Sequence, residues 1–247
     1  MPPTVLAATI HDPTGRLVEA VPSLAARFGE AFAGVVCNIS DQTHPEVVRL
    51  ARGLGPVMLH PTGLATVGRA RWEAVALALE QGAPQLLYSD FDHLCRWLEG
   101  DPGELAALLS GQPGVDVLII GRSARALAAE PARLRETEAL VNRVYAMMTG
   151  RAADLMFAVR RLSRPAAAAI VAQSRVDTLA SDADWPLLAE RLGFSIGTAA
   201  SDALYYRTMD EYGALADSGD GDPGNWIARL EFAALHAGAM RAYLADR

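Results

Sequence analysis

Leu86-Leu87-Tyr88-Ser89-Asp90-Phe91-Asp92 is a short apolar run that ends in two carboxylates one residue apart. It follows Val67 to Gln81, an Ala-rich segment of helical period, and Gly82, a helix stop. The stretch therefore reads as the strand of a βα unit with Asp90 and Asp92 at its carboxyl end. In open α/β sheets ligands bind outside that end of the strands, so position and chemistry agree. Two such carboxylates project to opposite faces if the strand continues, whereas a turn brings both toward one hard cation. A cation and two carboxylates would neutralise a diphosphate and stabilise it as a leaving group.

Upstream, the same alternation recurs. Thr4 to Ile10 predicts a first strand, Leu17 to Phe28 a helix, and Phe32 to Cys37 a second strand that ends in a loop from Asn38 to Thr43. A helix over Pro45 to Leu54 is expected to start from Thr43 as N-cap with Glu46 three residues on. Gly55 and a brief strand from Pro56 to Leu59 follow. Downstream come a helix over Glu104 to Leu109, a strand over Val115 to Ile120 and a long helix from Glu130 to Thr149. An Arg-dense stretch with Arg160, Arg161 and Arg164 leads into a helix over Pro165 to Ala172. The last expected elements are a helix over Trp185 to Leu192, a strand at Phe194 to Ile196, a flexible Gly/Asp loop over Asp217 to Asn225 and an amphipathic helix over Trp226 to Leu244. Strands alternating with helices predict an α/β fold on a mostly parallel sheet.

Composition narrows the function. No Lys occurs among the 22 basic residues, so P-loop, Schiff-base, pyridoxal and protein-kinase chemistries, which need a Lys, are excluded. Any phosphate must be met by Arg, backbone amides or a metal. A formal charge of −7 disfavours nucleic acid as a partner. Cys37 and Cys95 are too few for a disulfide framework or a Cys-x-x-Cys zinc site. No apolar run approaches the roughly 18 to 20 residues of a membrane span, and the N-terminus lacks a signal-peptide pattern, so a cytoplasmic location is expected.

The order of blocks resembles the core of GT-A glycosyltransferases of the inverting family 2 kind, which includes the dolichyl- and polyprenyl-phosphate sugar transferases. Val67 to Asp92 is similar to that family's helix, strand and Asp-x-Asp. Val35 to Thr43 is similar to its second strand and acidic loop, Ile119-Ile120-Gly121-Arg122-Ser123 to a later strand end, Asp154 to Arg161 to its Asp and Gly-Phe-Arg segment, and Asp184 to Ile196 to its acidic residue, helix and final strand. The likeness spans residues 4 to 200. It implies a single GT-A-like domain, with a nucleotide-binding half over 1–123, an acceptor-side half over 124–205 and a C-terminal helical extension over 206–247.

The resemblance also implies roles. Asp90 and Asp92 would hold Mg or Mn, and His11, Asn38, Asp41, Arg69, Asp90, Arg122 and Arg160 would line the nucleotide-diphospho-sugar site. Asp184, or else Asp154, would take the proton from a hydroxyl acceptor in a single in-line displacement with inversion. The chain departs from the pattern at Ile10-His11-Asp12-Pro13, where Asn-Glu is usual, at Asn38, where Asp is usual, and at His93-Leu94-Cys95-Arg96. The membrane-spanning tail of many lipid-phosphate transferases is not expected here, since no apolar run in these residues is long enough for one. Other readings of the same residues are a nucleotide-binding or interaction protein without turnover, a nucleotidyltransferase, and an Asp-x-Asp phosphatase. The last helix could serve in oligomerisation, and a homodimer is among the expected assemblies.

Overall fold

The computed structural model describes residues 3–63, 66–204 and 219–244. Its centre is a seven-stranded sheet in the order β3-β2-β1-β4-β6-β5-β7. β1 (Thr4–Ile10), β2 (Gly34–Ser40), β3 (Val57–His60) and β4 (Gln85–Asp90) run parallel. β6 (Val159–Ser163) is antiparallel to both β4 and β5 (Val117–Arg122), and β7 (Ile196–Ser201) is parallel to β5.

The central strands are apolar on both faces because helices cover both, which is the normal state of a parallel sheet. Leu6, Ala8 and Ile10 of β1 join one core with α1 (Leu17–Ala31), α2 (Pro45–Leu54), α4 (Phe91–Gly100) and α5 (Pro102–Ser110). Val5 and Ala7 join the opposite core with α3 (Val67–Glu80), α8 (Arg164–Gln173) and α9 (Ser181–Arg191). α6 (Ala124–Ala128) and α7 (Ala132–Thr149) follow β5, and α10 (Pro223–Leu244) packs across α7 and α9. Gly150 ends α7 at φ +71°, a left-handed position where its lack of a Cβ removes the steric cost.

Three local expectations are corrected. Asn38 to Ser40 belong to β2 rather than to the loop, because the apolar core continues through Ile39. His44, not Thr43, caps α2, its ring nitrogen accepting from the Glu46 amide, while the Thr43 hydroxyl turns inward to the Asp12 amide and the Ser40 hydroxyl. The Arg-dense stretch is a strand: Arg160 and Arg161 are buried on β6, their guanidinium groups donating to backbone carbonyls of neighbouring segments. The loop expected over Asp217 to Asn225 lies partly outside the described residues. From Pro223 it is already helix.

Candidate functional site

At the carboxyl edge of the sheet, register alone places three polar residues in a row. Thr9 of β1 stands opposite Asn38 of β2 and opposite Asp90 of β4. Side chains level on adjacent parallel strands share a face, and this face is the one covered by α3. Asn38 is fully buried there. It donates to the Ala70 carbonyl at 2.9 Å and to Glu73 Oε2 at 3.0 Å, and its side-chain oxygen contacts His60 Nδ1 at 3.0 Å. Arg69 pairs with the other oxygen of Glu73 at 2.9 Å and lies over the Trp72 ring. Just past the end of β2, the exposed Asp41 accepts from the Thr62 amide and hydroxyl, and these bonds hold its pKa below the usual value.

Asp90 is held from three sides. Thr9 and Tyr88 each donate to Oδ1 at 2.8 Å, and Arg71 approaches Oδ2 at 3.5 Å. Burial pushes its carboxyl up, but Arg71, His93 and the two hydroxyls outweigh that and keep it below the ordinary 3.8. Arg71 is itself buried and bonds Asp182 Oδ1 at 2.7 Å, and Asp182 faces His236 Nε2 at 3.6 Å. A chain of polar groups thus runs from Asp90 beneath the sheet edge to α10. Gly68 permits it. A Cβ there would stand 2.2 Å from the Thr178 carbonyl, so only glycine lets the segment before α9 close on the start of α3.

Asp92 faces the other way. β4 passes directly into α4 at Phe91, which is buried and stacked on Phe28 with centroids 5.2 Å apart. This junction leaves Asp92 in the first helical turn, where a carboxylate interacts favourably with the helix dipole. Its side chain is 45% exposed, with Arg96 at 3.5 Å as an i,i+4 partner. It borders a cleft of about 710 Å³ between the β1–α1 loop and α4, lined also by His11, Thr14, Arg16, His44 and Glu99. His11 is fixed by the Ser40 hydroxyl at 2.8 Å. His93 stacks on Phe157 at 4.0 Å instead of facing a ligand. The turn expected to converge the two carboxylates thus divides them between the faces of the sheet.

This division tests whether a divalent cation fits. Asp90 Oδ1 accepts two hydrogen bonds and Oδ2 faces a guanidinium, whereas Asp92 keeps open acceptor positions toward the cleft. Among the described residues no three His, Cys, Asp or Glu side chains gather as a metal cage. One carboxylate with diphosphate oxygens and water is nevertheless a sufficient donor set for Mg or Mn, so the cation fits at Asp92 in the presence of a phosphorylated ligand.

Arg122 and Arg160, expected in the nucleotide-diphospho-sugar site, and Asp154 and Asp184, expected as base, do not line the cleft. Arg122 is buried at the end of β5. Its Nε bonds Asp154 Oδ2 at 2.8 Å, its Nη1 bonds Glu130 at 3.1 Å, and its Nη2 bonds Glu138, which also pairs with Arg229. Burial pushes Asp154 up, and the hydrogen bonds and charge of Arg122 reverse this and hold it below 3.8; Glu138 is raised by burial despite its two arginines. Arg160, only 1% exposed, donates to the Leu155 and Asp182 carbonyls. Asp184 is buried in α9, accepting from Ser174 at 2.7 Å and from Tyr243 of α10 at 2.5 Å. The tryptophans are structural: Trp97 is fully buried, Trp185 packs edge-on against Tyr88, and Trp72 and Trp226 bond backbone carbonyls. Sequence reading missed Thr9, Arg71, Asp182 and His236. Thr9 had a usable signal in its place at the end of the first strand, level with Asp90.

No family model matches the chain, and no curated protein matches it in sequence. Solved structures do. Glucosyl-3-phosphoglycerate synthase of Mycobacterium tuberculosis aligns with a TM-score of 0.55 and 14% identity over 93% of this chain and 79% of that one. The M. tuberculosis enzyme in complex with Mn2+, UDP and phosphoglyceric acid gives 0.51 and 14% over 94% and 78%. Its complex with phosphoglyceric acid gives 0.51 and 15% over 93% and 78%. At such identity the likeness is one of fold, and together with the strand order around the antiparallel β6 it establishes that this chain has the α/β GT-A glycosyltransferase fold.

Proposed function

We propose that the chain moves a sugar from a nucleotide-diphospho-sugar to a hydroxyl acceptor with the help of Mg or Mn. The observation that carries this reading is the carboxyl edge of β1, β2 and β4, where Thr9, Asn38 and Asp90 form one row and Asp92 opens onto the adjacent cleft. The half over 1–123 would hold the nucleotide, with His11, Asn38, Asp41 and Arg69 around base and ribose. The fold neighbours in complex with UDP and Mn2+ support a uridine nucleotide as the first donor to try. The cation at Asp92 would supply positive charge to the diphosphate as it leaves, a task no Lys of this chain can perform.

The half over 124–205 would receive the acceptor. Of the two carboxylates considered as base, Asp154 is committed to Arg122, and Asp184 retains the role through hydrogen bonds to Ser174 and Tyr243 that can be exchanged for an acceptor hydroxyl. Inversion by single displacement belongs to this reading. Arg122 and Arg160 would then act by holding the half together.

One observation favours a second reading, a protein that binds nucleotide without turnover: Arg122, Asp154, Arg160 and Asp184 all have buried partners. Calorimetric titration with UDP, GDP and their sugar conjugates, with and without Mn, separates the possibilities. Metal-dependent binding that disappears in Asp92→Ala, with sugar release or transfer in a product assay, supports the transferase. The same binding without product supports the silent binder, and no binding by any nucleotide removes both.

A further inference from the structure

α7 and α10 lie side by side and present an apolar face to solvent. Leu140, Val144 and Met147 recur at i, i+4 and i+7 on α7 with exposures of 59%, 43% and 78%. On α10, Ile227, Leu230 and Leu235 are 57%, 55% and 39% exposed. Between the helices runs a groove of about 310 Å³ lined entirely by apolar side chains. Among the described residues, exposed large hydrophobics away from these helices are confined to Met58, Leu59 and Leu192. A concentration of this kind on one face marks an interaction surface, whereas scattered exposure does not.

We propose that this face is the isologous interface of a homodimer, in which α10 of one copy crosses α10 of the other antiparallel near His236. The charges on the face argue for a second copy over another partner. Glu231 and Arg241 are exposed, take part in no ion pair among the described residues, and stand five positions to either side of His236. A two-fold axis there sets Glu231 of each copy beside Arg241 of the other, so one charge pattern satisfies itself twice. The same axis sets Ala234 against Gly238, and small residues at a helix crossing let the backbones approach.

The area agrees. At about 1.5 Å per residue and roughly 10 Å of width per helix, the two helices offer a footprint on the order of 600 Å². A stable interface takes about 800 Å² of accessible surface from each partner, which the projecting side chains of such a footprint approach. The buried side of α10 is already occupied, with His236 against Asp182 and Arg229 against Glu138, so dimerisation uses only what α10 leaves outside.

The test is sedimentation velocity on the full chain over a hundredfold range of concentration, with Leu230→Glu, Glu231→Arg and the double variant Glu231→Arg/Arg241→Glu. The native chain is expected to sediment at twice its 26.3 kDa, and Leu230→Glu at the single mass with an unchanged circular dichroism spectrum. Glu231→Arg weakens association at least tenfold, and the double variant restores it. A native chain that stays at 26.3 kDa throughout overturns the proposal, whether the face serves another protein or none. So does a dimer that survives Leu230→Glu, or a charge reversal that the second substitution does not rescue.

Discussion

The end of β4 and the end of β5 carry the same chemical types and use them in opposite ways. At β4, Asp92 is nearly half exposed beside a cleft, and Asp90 is held by hydroxyls with one long guanidinium contact. At β5, Arg122 gathers three carboxylates, Asp154, Glu130 and Glu138, in a site closed to water. A guanidinium at a strand end can meet a ligand phosphate or replace one, and the number of buried carboxylates within reach decides which. Burial with full pairing makes an ionic group structural, whereas partial exposure leaves it able to exchange its partner.

The sharpest way to break this contrast is Arg122→Met. It leaves three buried carboxylates with, among the described residues, one cation still paired to them, Arg229 on Glu138, and removing one partner of a buried ion pair costs about 3–5 kcal/mol. Urea unfolding should show a loss of that size; a loss below about 1 kcal/mol would mean that water already reaches the cluster. Next, Gly68→Ala should cost about 1–3 kcal/mol through the clash with the Thr178 carbonyl, and it should weaken nucleotide binding too, because α3 carries both Arg69 and Arg71.

Acid provides a third test. Asp154 and Asp90 have folded pKa values below 3.8, so each contributes stability that is complete above that value and is lost as pH falls through its folded pKa. Glu138, raised above 4.5, works in the opposite sense and is most favourable when protonated. The two lowered groups outnumber the raised one, so unfolding free energies from urea titrations at pH 6 and pH 3 should differ by about 1–2 kcal/mol, with the acid state less stable. Asp154→Asn should flatten that dependence. The smallest expected effect on stability is at Asp92→Ala, within about 0.5 kcal/mol for an exposed residue whose ion pair among the described residues is local. That near-neutrality, combined with loss of metal-dependent nucleotide binding, would place the two strand ends in different roles.

The sequence made the first half of the fold legible because its signals are local. β1, α2 and the Ala-rich α3 follow from apolar period and punctuation within single segments, and their bounds agree with the structure to within a residue or so. β6 was hidden because Arg160 and Arg161 interrupt its apolar pattern, and no local rule tells a buried arginine that serves backbone carbonyls from one waiting for phosphate. The pairing of Arg122 with Asp154 joins positions 32 residues apart, and that of Arg71 with Asp182 joins positions 111 apart. Such contacts are set by the packing of α3 against α9 and of the end of β5 against the segment before β6, which no spacing in the sequence announces. The candidate site divides in the same way: the placement of Asp90 at a strand end was readable, and the separation of Asp92 onto the other face depended on α4 beginning at once.

The pairing of Glu138 with Arg229 also bears on how the chain is made. Translation proceeds at roughly 5–20 residues per second, so on the order of 5 to 20 s pass between the synthesis of Arg122 and that of Arg229. During that interval the β1–β4 layer has all its strands, while Glu138 has Arg122 but still lacks Arg229, its second cation among the described residues. The second half would therefore stay open on the ribosome until α10 emerges. A pulse-labelling experiment should find protease resistance appearing first in the amino-terminal half.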